Sequence, residues 1–143
     1  MQVFDNQAKE IEAVGAWLAD RSKEGVLPHE IGVFVRSEAE MERAELPFKV
    51  LDEGVETSYG QVSISSMHLV KGLEFRAVAV MACDDEIIPL QARIETAAED
   101  SDLEDVYNTE RHLLYVACTR ARDHLLVTSV EPASEFLDDL TAV

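Results

Sequence analysis

Basic residues are scarce in this chain: 12 Lys and Arg stand against 29 Asp and Glu, for a formal net charge of −17. That balance excludes nucleic-acid binding by bulk charge, which rests on neutralising phosphates with Lys and Arg. Any contact with a phosphate backbone must come from a local basic spot or from another domain. Cysteine is scarcer still, with Cys83 and Cys118 each alone inside an apolar segment. Two separated thiols make neither a disulfide framework nor a zinc site of clustered Cys and His, and they read as buried, reduced side chains. Long apolar runs are missing. The longest, Ala77 to Cys83, falls far short of the roughly 20 residues of a membrane-spanning helix. The first residues lack the basic stretch and apolar core of a secretory signal. Together these absences predict a cytoplasmic protein with no membrane partner. There is no internal repeat and no low-complexity tract. Nor is there a Gly-x-x-x-x-Gly-Lys-Ser/Thr sequence, so the chain carries no phosphate-cradling loop of its own.

What is present suffices for one domain, expected over residues 1–143, with a real hydrophobic core: 47% of the 143 residues are apolar. The pattern predicts a helix over 4–23, capped by Asp5 or Asn6, with Ile11, Val14, Trp17 and Leu18 on one face. Ile31-Gly-Val-Phe-Val35 is nearly all apolar, the mark of a strand covered on both faces. A short helix over 38–46 is expected to end at Pro47, followed by a short strand over 48–51 and a polar loop to Gly60. Further strands are expected over 62–65, 75–82 and 124–129. A helix is expected over 105–122, with a stripe of Leu113, Val116 and Ala117, and a closing helix over 133–140. The acids of 84–105, nine against the single base Arg93, read as a solvated loop. This order predicts an α/β fold with a mostly parallel sheet flanked by helices. Such sheets place ligand groups where strands end, which draws attention to Arg36 and to the turn from Ser65 to Glu74. Arg120 ends a helix and precedes a strand, so it reaches a ligand only if that helix end faces an open surface or a partner.

Two stretches exceed what a core requires. Ser65-Ser-Met-His-Leu-Val-Lys-Gly-Leu-Glu-Phe75 is a strand end breaking into a polar turn with His68, Lys71, Gly72 and Glu74. Asn108-Thr-Glu-Arg-His-Leu-Leu-Tyr-Val-Ala-Cys-Thr-Arg-Ala-Arg122 sets Arg120 at the end of an apolar helix. These residues resemble the C-terminal RecA-like motor domain of UvrD/Rep-type superfamily 1 DNA helicases. That family's last motif runs Glu-Arg-Arg-Leu-x-Tyr-Val-x-x-Thr-Arg-Ala; Glu110, Arg111, Leu113, Tyr115, Val116, Thr119, Arg120 and Ala121 match it in register. The preceding motif, His-x-x-Lys-Gly-Leu-Glu-Phe, is matched without gaps by His68 to Phe75. Val33-Phe-Val-Arg-Ser37 and Asp84-Asp-Glu-Ile-Ile-Pro89 resemble two further family segments. The likeness covers nearly the whole chain, and it departs from the family at His112, where a second Arg is usual.

The resemblance implies a RecA-like, P-loop-NTPase-type fold and a half-site for ATP. Arg120 would be the catalytic arginine finger, since a guanidinium stays charged and offers a fork to phosphate oxygens. Gly72 and Glu74 would join it in ATP binding, Glu74 at the ribose hydroxyls. Arg36, Ser65, Ser66, His68 and Lys71 would touch the backbone of single-stranded DNA, in contacts that position without reading sequence. ATP and Mg2+ would be held mainly by an N-terminal RecA-like motor domain, the partner that carries the phosphate loop. The stretch between Arg36 and Val62 is too short for the helical subdomain inserted there in large family members. Taken by itself, Arg120 also suits a helix dipole, Glu74 a surface ion pair with Lys71 or Arg76, and His68 a structural role. Tyr115, Leu113 and Val116 read as core. Two other functions compete: a non-catalytic RecA-like adaptor, which would use the acidic 84–105 segment to bind a protein partner, and the helicase part of a helicase–nuclease.

Overall fold

The computed structural model describes residues 2–50, 62–67, 73–85, 87–88, 91–95 and 99–137. Among them β1 (Gln2–Phe4), β2 (Ile31–Val35), β3 (Ser63–Ser66), β4 (Phe75–Val80) and β5 (Ala121–Val130) form one five-stranded sheet in the order β1-β5-β4-β2-β3. All four pairings are parallel. Helices α1 (Gln7–Lys23), α2 (Met41–Val50), α3 (Gln91–Glu95) and α4 (Asp100–Thr119), with single 3-10 turns at Pro28–Glu30 and Glu38–Glu40, complete the described elements. No helix among the described residues is long and apolar enough to cross a membrane.

Strand alternation sorts the core into two layers. Ile31, Val33 and Val35 of β2 and Ala77 and Ala79 of β4 pack with Val14 and Leu18 of α1 and Ala44 of α2. Phe34, Val78 and Val80 point the other way, against Leu114, Ala117 and Cys118 of α4 and against Phe136. Both faces are thus covered, and every residue of β2 is buried, as its unbroken apolar run predicts. Gly32 is required by contact: a Cβ there would lie 2.6 Å from the ring of Phe34, which meets Phe75 edge-on with centroids 5.6 Å apart.

α1 begins where Asn6 Oδ1 accepts the Lys9 amide at 2.9 Å, a cap contributing about 1 kcal/mol. It stops at Gly25, whose φ of 96° is a left-handed conformation that favours glycine. The acidic stretch is less irregular than its composition suggests. Asp84 is bonded inward, and Asp102 and Glu104 lie in the first turns of α4, where the positive end of the helix dipole favours acids.

Several boundaries differ from the sequence expectation. Gln2–Phe4 is a strand, paired beside Thr128–Val130, and α1 starts only after it; three residues are too few to show alternation. α2 runs through Pro47 to Val50, in place of the expected strand from Phe48. A four-residue stretch such as Phe48-Lys-Val-Leu51 is too short for periodicity to separate strand from helix. α4 starts at Asp100 and β5 at Ala121, both earlier than expected, because polar ends hide periodicity. Ala133 forms a bridge with Asp84; of the expected closing helix over 133–140, Leu137 is helical and residues 138–140 lie outside the described residues. The buried arc of α4 is Glu110, Leu114, Ala117 and Cys118, while Leu113 and Val116 are half-buried and Tyr115 is 60% exposed. Tyr115 therefore is not core. The acid at Glu110 masks the true phase of this helix.

Candidate functional site

The start of β4 and the start of β5 lie side by side, since Phe75 pairs with Ala121. The residue before each strand is a sequence-predicted ATP ligand. The Phe75 amide donates to the Arg120 carbonyl at 2.8 Å, which sets Glu74 and Arg120 next to one another at the N-terminal edge of the sheet. Glu74 is exposed, and among the described residues it has no ion-pair partner; Arg76 instead donates to Asp123 at 3.0 Å. Arg120 is half-buried. Its Nε donates to the Val116 carbonyl at 3.1 Å and its Nη2 to Thr119 Oγ1 at 3.2 Å. The guanidinium thus closes the carbonyl end of α4, a favourable place for a cation.

Beside this pair is a shallow cavity of about 340 Å³ lined by His29, Glu30, Glu74, Phe75, Arg76 and Arg122. Its lining mixes the cations Arg76 and Arg122 with the acids Glu30 and Glu74. The hydrogen bond from Arg76 holds the Asp123 carboxyl below the usual carboxylate range. Arg122 is exposed and reaches Asp123 only at 3.7 Å.

The opposite edge differs. Arg36, just past the end of β2, is 6% exposed. Its Nε and Nη2 donate to the two carboxylate oxygens of Glu110 at 2.7 and 2.6 Å. Arg93 donates to the same Glu110 at 3.3 Å. A second buried network lies nearby. Glu10 accepts from Arg43 Nε at 2.7 Å, from Thr128 Oγ1 at 2.9 Å and from the Ala82 amide at 3.2 Å. Arg43 also donates to Asp84 at 2.8 Å, and Asp84 accepts the Val130 amide at 2.7 Å. Burial alone would lower the Arg43 pKa, but the hydrogen bond to Asp84 and the charge of Glu10 raise it on balance.

Of the predicted DNA contacts, Ser65 is half-buried and donates to the Ser66 carbonyl at 3.1 Å. Ser66 is buried. His68, Lys71 and Gly72 lie outside the described residues. Arg36 is a buried member of an ion pair rather than an open strand-end cation. The fold therefore unites Glu74 with Arg120 at one edge and sets Arg36, Ser65 and Ser66 at the other. Sequence reasoning missed Glu10, Arg43, Asp84 and Glu110. A signal was available, for Glu10 stands four residues before Val14 and Glu110 four before Leu114. A charge inside an apolar arc calls for a buried partner.

Among the described residues no cluster of three or more His, Cys, Asp or Glu could hold a metal ion. A protein-family model described as "UvrD-like helicase C-terminal domain" matches residues 37–132. DNA helicase II of Rickettsia typhi is 34% identical over 88 residues, 61% of this chain and 13% of that protein. ATP-dependent DNA helicase UvrD1 of Mycobacterium tuberculosis is 36% identical over 77 residues, 54% of this chain and 9% of that protein. The chain thus spans only a small part of these curated relatives. Among solved structures, the C-terminal domain of a possible DNA helicase from Lactobacillus plantarum superposes with a TM-score of 0.63 at 25% identity. That match covers 94% of this chain and 75% of the other.

Proposed function

The chain belongs to the UvrD-like helicase C-terminal domain family, and from that premise we propose that it is the second RecA-like motor lobe of an ATP-dependent DNA helicase. In this reading ATP lies between two lobes, and this one contributes the N-terminal edge of its sheet. The observation that carries it is the pairing of Glu74 with Arg120 through the Phe75–Arg120 backbone hydrogen bond. A carboxylate and a guanidinium side by side on an open edge match a ribose and a phosphate chain. The carboxylate accepts from hydroxyls, and the guanidinium offers two donors to phosphate oxygens.

Arg120 acts as the finger. Negative charge spreads over the γ-phosphate oxygens as the bond to the leaving group loosens, and a fixed cation stabilises that distribution. To do so the side chain leaves the Val116 carbonyl and Thr119, two contacts that are weak enough to exchange for a phosphate. Gly72 supports the ATP contact by allowing close backbone approach. Ser65 and Ser66 at the end of β3, with His68 and Lys71 after them in sequence and Arg36 beside them, touch the DNA backbone. Mg2+ is assigned no ligand in this chain and belongs with the phosphate-loop lobe. The domain of residues 1–143 alone hydrolyses no ATP, because half the site lies elsewhere.

In a polypeptide carrying both lobes, Arg120→Ala is expected to abolish ATP turnover while sparing nucleotide binding. Turnover like that of wild type would end this reading. A second reading, a non-catalytic adaptor that uses the acidic 84–105 segment to bind a protein partner, draws on the two bonds from Arg120 to its own helix. It predicts that the same variant loses stability and changes no activity.

A further inference from the structure

Glu110 is fully buried in the middle of α4, and both of its oxygens accept from Arg36, just past the end of β2, one of them also from Arg93. α4 continues without a break to Thr119, and Arg120 follows. Ten residues of α-helix separate Glu110 from Arg120, about 15 Å along a stiff rod. At the other end, Arg36 follows Val35, which pairs with Ser66 of β3. One helix therefore carries the candidate nucleotide contact at its tip and, two to three turns back, grips the residue beside the strand end that leads into the candidate DNA contacts. The other buried network joins Glu10 of α1, Arg43 of α2, Asp84 and Thr128 and Val130 of β5, and none of its bonds reaches α4.

Resting on the motor reading, we propose that Glu110 is a positioning residue that couples the two edges of the sheet. When Arg120 moves onto a phosphate, α4 shifts along its axis. Glu110 shifts with it, and the bidentate bond pulls Arg36 and the adjoining end of β3. A two-pronged carboxylate–guanidinium pair fixes both distance and orientation, so it transmits a displacement that a single contact would absorb by rotation. Breaking a buried pair leaves an uncompensated charge, so the link resists parting as the helix moves. Arg93, half-exposed on the same carboxylate, adds a second point of hold.

The test uses the polypeptide with both lobes and reads ATP turnover with and without a poly-dT oligonucleotide. Glu110→Gln keeps the shape and removes the charge; Arg93→Ala removes the peripheral donor and leaves the buried pair. Stimulation by the oligonucleotide is expected to fall about tenfold in the first and about threefold in the second, the scale of ordinary coupling energies. Unstimulated turnover and the KM for ATP are expected to match wild type in both. Val14→Ala, which opens the core under α1 without touching α4, is the stability control and keeps full stimulation. Unchanged stimulation in both Glu110→Gln and Arg93→Ala would overturn the coupling role, as would an equal loss in the control. If Glu110→Gln fails to fold, Arg93→Ala decides alone. A wild-type polypeptide that hydrolyses no ATP overturns the motor reading itself, a separate and distinguishable result.

Discussion

At the C-terminal edge of the sheet Arg36 and Arg43 are 6% and 7% exposed, and each holds a fully buried glutamate. At the N-terminal edge Glu74 and Arg122 face solvent, and among the described residues the side-chain bonds of Arg120 run only to the end of its own helix. The same residue types thus serve opposite ends. Buried pairs cost desolvation and repay it through geometry, so removing one partner is expensive. Exposed charges contribute little to stability and remain available to a ligand. The difference teaches that the strand ends where an open parallel sheet usually binds ligands are here occupied by internal ion pairs, and the proposed nucleotide half-site is at the other edge.

The sharpest break between the edges is catalytic. Arg120→Ala in a two-lobed polypeptide is expected to lower kcat by about 10³ or more, with folding stability within about 0.5 kcal/mol of wild type. Steady-state turnover and chemical denaturation read the two quantities. Glu10→Ala is expected to do the reverse. It takes one of the two carboxylate partners of Arg43, leaves Thr128 and the Ala82 amide without their acceptor and destabilises the domain by about 3 kcal/mol, measured by denaturant unfolding. Equal costs at the two positions would erase the distinction between the edges.

Smaller effects sharpen it further. Glu74→Ala is expected to weaken nucleotide binding about tenfold, the worth of one lost hydrogen bond to a charged group, in a titration of the two-lobed polypeptide. Lys71→Ala is expected to reduce the salt slope of single-stranded DNA affinity by about 1, as one lost phosphate contact would, measured by anisotropy across salt concentrations. A last effect concerns the core and tests stability alone. Burial pushes the Cys118 thiol up to about 11 and also pushes the Cys83 thiol well above its usual range. An unfolded thiol titrates near 8.5, so the folded state keeps protons that the unfolded state has released. Stability is therefore flat below that value and falls as pH rises from about 8.5 towards 11. Denaturation at pH 8 and pH 10 should show the drop, and Cys118→Ala should reduce it, leaving the part due to Cys83.

Much of the fold is legible in the residues themselves. The run Ile31–Val35 matches β2 end to end, since a strand covered on both faces has no polar position to blur its limits. β1 was hidden because its stability comes from pairing with β5, more than a hundred positions away in sequence. The same physics hid the meeting of Glu74 and Arg120. Each residue type and motif is visible in the sequence, but their adjacency comes from the parallel register of β4 and β5. Arg36 shows the converse. A cation after a strand reads as a ligand contact, and only the phase of α4 reveals that Glu110 has already claimed it.

The most direct measurement is ATP hydrolysis by the 143-residue chain alone and by the same chain joined to a lobe bearing a phosphate-binding loop, each with single-stranded DNA present. A half-site that supplies Glu74 and Arg120 but no phosphate loop predicts no turnover from the chain alone and DNA-stimulated turnover from the joined lobes. Hydrolysis by the isolated chain, or none by the joined lobes, would contradict it.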